Sequence, residues 1–331
     1  MTAQNFKAYR INRQDKNIEA NFQQLSIDDL TEGSVVVKVN YSSINYKDAL
    51  AATGAGQILR QYPLNGGIDL AGEIVSSEDS RYKIGQSVLV CGCGLSETAD
   101  GGYAEYARVC GDCIVTLPEG LSERDAMAIG TAGFTAALAV IRMEQMDQSP
   151  DMGPIIVTGA SGGVGSFAID LLAQRGYEVH AFTGKADHAD YLKSLGAIQI
   201  INRNDLEMGT RPLERAIFGG AVDSVGGDTL AWLTRTVVPF GNIASIGLAG
   251  GYKLETTVMP FILRGVSLIG INSIEMPTEM RNNAWVRLGT DLKPKHIDNI
   301  VTREIPFDEL PGAFDDYLKG AIIGRTVVKI S

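Results

Sequence analysis

Three groups of residues in this chain have types and spacings that could do chemistry. The first is VTGASGGVG, Val157 to Gly165, lying between a run that reads as a strand and a run that reads as a helix. In that context Gly162 permits a tight turn and close approach of the backbone to a diphosphate, and Gly165 lets the helix pack against the strand. The unpaired N–H groups of the helix start, Ser161, Gly162, Gly163 and Val164 among the residues at the loop, complete an anion cradle. The second group follows about 20 residues on, where a dinucleotide-binding unit meets the adenosine ribose. Thr183-Gly184-Lys185 stands there with no acid to hold a free 2′-hydroxyl, and Arg203 follows the next strand. A hydroxyl and cations at that point suit a 2′-phosphate, so NADPH is expected over NADH. Asp187 is an acid close enough in sequence to oppose that reading. The third group is four cysteines, Cys91, Cys93, Cys110 and Cys113. Their spacing fits no usual zinc knuckle, and they read as four thiols in or beside strands, acting as small hydrophobes. No bound metal is expected.

The elements that must position these groups change character along the chain. VVVKVNY (Val35–Tyr41), LAGEIV (Leu70–Val75) and SVLVC (Ser87–Cys91) read as strands bounded by turn residues, which makes the first 130 residues β-rich. From about Gly130 strands alternate with helices. IIVTG leads into VGSFAIDLLAQRG, where Val164, Phe167, Ala168, Leu171 and Leu172 fall at helical spacing and Gly176 stops the run. EVHAFTG, ADHADYLKSLG, AIQIIN, AVDSV and GNIASIG continue the pattern. Such alternation implies a parallel, doubly wound α/β sheet. After about Ile274 it fades, and the chain closes on a β-branched strand, AIIGRTVVKIS, expected to return to the first module. The expected division is residues 1–129 with 275–331, and residues 130–274.

Composition removes several classes of function. A length of 331 residues with 45% hydrophobic content supports two cores. A net charge of −10, from 29 basic and 39 acidic residues without a basic cluster, opposes binding to nucleic acid or an anionic membrane. The longest apolar run, Ile129–Ile141, is short for a bilayer and reads as a buried helix, and the polar N-terminus has no signal-peptide pattern. A cytoplasmic location is expected.

The glycine loop also fits the Thr-Gly-x-x-x-Gly-x-Gly pattern of short-chain dehydrogenases. Those enzymes carry it near the N-terminus and use a Tyr-x-x-x-Lys pair, whereas no tyrosine here is followed four residues later by lysine. The order of modules instead resembles the medium-chain dehydrogenase/reductase superfamily, through SSINYKDAL, NGGIDLAGEIV, KIGQSVLV, GTAGFTAAL, VTGASGGVG, YLKSLGA, VDSVGG and GRTVVKI. Within it, IGTAGFTAA and GLAGGYKLETTVMPFILRGVSLIGINS look like the acrylyl-CoA reductase group. The resemblance implies a GroES-like β-barrel substrate domain preceding a Rossmann nucleotide domain.

The resemblance further implies cofactor contacts at Tyr46, at the glycine loop, and at Leu248, Ile262 and Ser273. It places Asn45 and Tyr46 in the loop facing the nicotinamide, where Tyr46 would orient the ring or supply a proton; a hydrogen-bonded turn beside an aromatic contact is the plainer reading. Zinc-dependent relatives place Cys or His where this chain has Asn45, Tyr46, Ile68 and Asp69. What remains is hydride chemistry that needs little acid–base machinery: reduction of the activated C=C bond of a short acyl-CoA, acrylyl-CoA first, or of a quinone. A non-enzymatic NADPH-binding relative, crystallin-like or RNA-binding, is the alternative from another class. A CoA ester on this acidic chain needs local cations, for which Arg60, Arg264 and Arg325 are candidates. A homodimer joined edge to edge through nucleotide-domain sheets is expected from the resemblance alone.

Overall fold

A computed structural model of the protein describes residues 5–15 and 17–331; residues 1–4 and Lys16 of the polar N-terminal stretch lie outside it. Two compact units emerge: Met1–Thr131 with Ile274–Asp291 and Val301–Ser331, and Ala132–Ser273 with Leu292–Ile300. The strands in chain order are β1 (Phe6–Gln14), β2 (Asn17–Leu25), β3 (Val35–Ile44), β4 (Leu64–Asn65), β5 (Asp69–Ser77), β6 (Ser87–Cys91), β7 (Tyr106–Val109) and β8 (Val115–Thr116) in the first unit. Then come β9 (Ile155–Thr158), β10 (Val179–Thr183), β11 (Ala197–Asn202), β12 (Phe218–Asp223), β13 (Val237–Ser245) and β14 (Ser267–Gly270) in the second. Finally β15 (Val301–Pro306) and β16 (Arg325–Lys329) return to the first. The α-helices are α1 (Tyr46–Thr53), α2 (Glu123–Glu144), α3 (Gly163–Gln174), α4 (Ala189–Ser194), α5 (Gly227–Thr236), α6 (Met259–Arg264), α7 (Thr278–Gly289), α8 (Ile297–Ile300) and α9 (Leu310–Leu318).

In the first unit β3 is the spine. Val35, Val37 and Val39 alternate inward, and the strand pairs antiparallel with β5, β7 and β16. The last strand therefore closes the first module, with Thr326 opposite Ile44 and Lys329 opposite Tyr41. A second small sheet of order β2-β1-β4 adds the hairpin β1–β2, which sequence reading missed because its residues are largely polar. The core between these sheets gathers Ile11, Val37, Leu70, Val90, Tyr103 and Phe314.

In the second unit, six strands among the described residues form a parallel sheet of order β11-β10-β9-β12-β13-β14. Counted from β9 this is 3-2-1-4-5-6, the doubly wound dinucleotide-binding order, whose strand order reverses between β9 and β12. Phe182 and Trp232 stack at 5.6 Å and Phe218 meets Trp232 edge-on at 5.7 Å. Such pairs contribute about 0.5–1.5 kcal/mol beyond their burial. Helix α3 carries the expected Phe167, Ala168, Leu171 and Leu172, but it is buried on every side from Gly165 to Leu172. Its one buried acid, Asp170, accepts a hydrogen bond from the His296 N–H and lies 2.7 Å from His296 Nδ1. That contact fastens Leu292–Ile300 to the second unit and corrects the expected assignment of all residues beyond 274 to the first.

The passage from first to second unit falls inside α2, at Thr131–Ala132. The helix is long and apolar enough to cross a membrane by length and composition, yet its most apolar window is 89% buried within the protein. It is broken at Gly130, whose φ of 48° and ψ of −159° belong to no helix and to few residues other than glycine.

Candidate active site

In the second unit, β9 ends at Thr158 and the chain turns through Gly159, with φ of 60°, before α3 starts at Gly163. Gly162 is the N-cap residue, its N–H bonded to the Gly159 carbonyl at 3.0 Å. The first N–H groups of α3 have no partner within the helix and face the strand end. A Cβ on Gly165 would collide with the Gly159 carbonyl and with Ala160, so a side chain there would push the helix off the strand. Ser161 is buried, while Gly162, Gly163 and Val164 stay half-open. The neighbouring strand end is fixed by Asp223, which accepts from Thr158 Oγ1 at 2.6 Å and from the Gly226 N–H at 2.8 Å. Burial raises the pKa of this carboxyl. The cradle thus sits at the point where strand order reverses, the usual ligand position in such sheets.

The second strand end gathers the other expected group. Thr183 Oγ1 accepts the Lys185 N–H at 3.0 Å, which turns the chain at Gly184. The Arg203 guanidinium lies over Gly184, 3.0 Å from where a Cβ would stand. Two residues separated by a whole crossover therefore place cations beside one strand end. Lys185 is half-buried and its pKa is lowered by desolvation, while Arg203 is exposed and forms no ion pair among the described residues. Asp187 lies exposed on the turn Ala186–His188. The residues present fit a dinucleotide: a glycine turn that lets the helix pack close on the strand end, N–H groups without an intrahelical partner at the helix start, and two cations beside the end of the next strand. Of the three residues expected from resemblance, Leu248 and Ile262 are exposed and Ser273 is half-buried, so none is a core side chain.

In the first unit, Asn45 and Tyr46 open α1. Tyr46 presents its ring to solvent at 54% exposure. Asn45 is tied down on all sides: its N–H donates to Asp48 at 2.8 Å, its Nδ2 to Asp69 at 2.8 Å, and its Oδ1 accepts from Arg325 at 3.0 Å. Asp69 is wholly buried and also accepts from Ser43 Oγ at 2.7 Å, the Thr131 N–H at 3.0 Å and Thr131 Oγ1 at 2.6 Å. Arg325 completes the cluster with bonds to Ser43 Oγ, Ile44 O and Ala128 O. Asn45 is thus a positioning residue for the start of α1, and Tyr46 is the side chain it presents. Asp48, buried beneath them, has its carboxyl pushed up to about 7 by burial and then by Asp69. Ile68 takes a backbone part only, its N–H donating to Asp48 at 3.0 Å.

The candidate cations for a CoA ester separate sharply. Arg325 belongs to the buried cluster, Arg264 donates to the Arg235, Val237 and Glu214 carbonyls, and neither lines the cavities at whose edge Arg60 stands. Arg60 alone is open, with its side chain 69% exposed at the edge of a cavity. The four cysteines also part company. Cys93 and Cys113 form a disulfide with Cα atoms 5.8 Å apart, a pairing the expectation of four thiols did not contain; Cys91 is buried and Cys110 exposed. The loop carrying Cys93 and the turn carrying Cys113 meet only in the fold. Among the described residues no three His, Cys, Asp or Glu side chains gather as a metal site would require.

The chain matches the alcohol dehydrogenase GroES-like domain over residues 31–119 and the family described as zinc-binding dehydrogenase over 163–288. Acrylyl-CoA reductase AcuI of Ruegeria pomeroyi is 47% identical over 314 residues, 95% of each chain. The chain belongs to the acrylyl-CoA reductase group of the medium-chain dehydrogenase/reductase superfamily. A solved structure of Escherichia coli K-12 YhdH with bound NADPH is 46% identical, covers 98% of this chain and all of that one, and superposes with a TM-score of 0.94. YhfP of Bacillus subtilis, named as a candidate quinone oxidoreductase, is 47% identical over 98% of this chain and 99% of its own; its structure with NAD bound gives a TM-score of 0.96. Medium-chain membership explains the order of modules: the GroES-like unit comes first and takes the last strand back.

Proposed function

We propose that this protein reduces the activated C=C bond of a short enoyl-CoA with NADPH, acrylyl-CoA to propanoyl-CoA being the foremost reaction. The likeness to the Ruegeria reductase over 95% of both chains carries the substrate assignment. The cations Lys185 and Arg203 around Gly184, with no acid at that strand end before Asp187, carry the cofactor assignment.

When bound, NADPH supplies the hydride that adds at the β-carbon of the thioester-activated alkene. The thioester itself makes that carbon electrophilic, so the protein's work is to hold the partners about 3–3.5 Å apart and support the transient oxyanion. The glycine loop and the two cations hold the cofactor. Asn45, fixed by three partners, sets the start of α1, and Tyr46 is the exposed hydroxyl of that segment, suited to orient the nicotinamide or give a proton to the α-carbon. Asp69 and Arg325 lock this segment to the helix break at Gly130, so the site needs no metal to keep its shape.

The candidate quinone name of YhfP favours a second reading, an NADPH:quinone oxidoreductase. Parallel NADPH-oxidation assays with acrylyl-CoA, crotonyl-CoA and a quinone separate the two. Turnover of any of them separates both from a cofactor-binding protein without catalysis.

A homodimer and a cytoplasmic location belong to the same proposal. Edge strand β14, helix α6 and the Val258 that caps it expose Val258, Met259, Ile262, Leu263 and Leu268 on the second unit, apolar side chains of the kind that mark an interaction surface. Two copies pairing along β14 would cover it and remove the open sheet edge. Leu268→Lys should then sediment as a monomer at concentrations where the wild type is a dimer; identical sedimentation of the two rejects this interface.

A further inference from the structure

Three arginines among the described residues are buried, and two have a carboxylate. Arg10 pairs with Asp100 at 3.0 Å, and Arg325 stands 3.8 Å from Asp69 within its hydrogen-bonded cluster. Arg281, in the first turn of α7 and 3% exposed, has none. Its Nη1 donates to the Asp112 carbonyl at 3.2 Å and its Nη2 to the Ile274 carbonyl at 3.4 Å, while Nε is buried without a partner. Desolvation pushes the guanidinium pKa down, and the single charge effect opposing it comes from the Cys91 thiol. A guanidinium cannot shed its proton, so a buried one without a counter-ion is costly unless an anion arrives.

Arg281 lines a cavity of about 460 Å³ in the first unit, together with Arg60, Cys93, Glu97, Thr98 and Thr278. A second cavity of about 510 Å³ shares Arg60 and Glu97 with it and adds Lys47. Of the acids on these walls, Glu97 is paired with both Lys47 and Arg60, and Asp112 with Arg81 at 2.8 Å; Glu275 is a third. Two adjoining cavities therefore carry three cations in series on a protein of net charge −10, which otherwise repels polyanions. A ligand with several phosphoryl groups matches that series, and the planar guanidinium fork matches each group.

We propose that these joined cavities bind the phosphate-bearing end of the acyl-CoA, with Arg281 and Arg60 each holding a phosphoryl group. This rests on the enoyl-CoA reading above and extends it to named residues. Thr98 and Thr278 add hydroxyl donors, and the exposed Arg60 stands at the cavity edge beside Glu97.

The test uses the full chain saturated with NADPH and compares acrylyl-CoA with acrylyl-pantetheine, which has the same thioester and no phosphate. In Arg60→Ala and in Arg281→Lys, the ratio of kcat/KM for acrylyl-CoA over acrylyl-pantetheine should fall about tenfold or more, the loss of one charge-assisted contact. Arg60 is exposed, so its variant reports even if Arg281→Lys folds poorly. An unchanged ratio in both variants, with the wild type active on acrylyl-CoA, overturns the cavity assignment and leaves the reaction standing. If the wild type does not reduce acrylyl-CoA, the reaction falls, and calorimetric titration with coenzyme A and, separately, inorganic pyrophosphate decides the site alone. Coenzyme A binding that weakens in both variants supports it. Binding unchanged in both, or binding by pyrophosphate with none by coenzyme A, overturns it.

Discussion

Gly130 is the position at which a single methyl group should do most damage. Its φ and ψ, 48° and −159°, lie in a region that costs a residue with a Cβ about 1–3 kcal/mol. The added Cβ would stand 2.6 Å from Arg325 Nη2, 2.7 Å from Asp69 Oδ2 and 2.9 Å from Ser43 Oγ. Arg325 cannot swing aside cheaply, because it also donates to the Ala128 and Ile44 carbonyls and to Asn45. Disrupting a buried charge pair costs about 3–5 kcal/mol. Gly130→Ala should therefore destabilise the first unit by about 4–8 kcal/mol, a large fraction of the ~5–15 kcal/mol that holds a domain folded. The two tryptophans allow a clean measurement, since Trp285 is buried in the first unit and Trp232 in the second. Urea unfolding followed by Trp285 fluorescence in a Trp232→Phe background should move to lower urea in Gly130→Ala, while Trp232 in the complementary background changes little. A Trp285 transition within about 0.5 kcal/mol of the parent would refute the claim that this glycine is what the buried cluster requires.

Lys185→Ala should weaken NADPH binding by about 1.5–3 kcal/mol, the value of a hydrogen bond to a charged group, and leave NADH binding nearly unchanged; an unaltered NADPH/NADH affinity ratio rejects the cofactor assignment. Arg203→Ala should shift the same ratio in the same direction by a smaller amount, because Arg203 is the more exposed of the two cations and solvent screens its charge. Thiol titration of the denatured, unreduced protein should find Cys91 and Cys110 free and Cys93 and Cys113 blocked. All four reacting before reduction would contradict the disulfide for the compartment from which the protein was purified.

How much of this was legible in the sequence depends on whether the signal is local. The parallel sheet was, because strand and helix periods alternate and glycines such as Gly176 and Gly196, with φ of 83° and 106°, punctuate them. The two cations beside the end of β10, Lys185 and Arg203, were legible by counting along one crossover. The buried cluster was not: Asn45, Asp69, Thr131 and Arg325 come from four distant segments, and Asp69 reads locally as one more polar residue at a strand start. Arg281 in TEMRNNAWVRLG resembles any solvent-facing arginine on a helix, and only the fold shows that it is enclosed. Arg325 misled for the opposite reason, since a cation near the C-terminus gave no sign that β16 would carry it into the core. The Cys93–Cys113 pair spans a separation of 20 residues across two loops and has no periodic trace.

The central claim is that the site was shaped for a short enoyl thioester, and the most direct measurement is kcat/KM with NADPH for acrylyl-CoA, crotonyl-CoA and a simple quinone on one preparation. A quinone accepts hydride in almost any open site beside a nicotinamide, whereas the thioester must be gripped and aimed. The account predicts that acrylyl-CoA is the best of the three and that the extra methyl of crotonyl-CoA costs about 1–3 kcal/mol, roughly 10–200-fold. A quinone turned over more efficiently than acrylyl-CoA would contradict it.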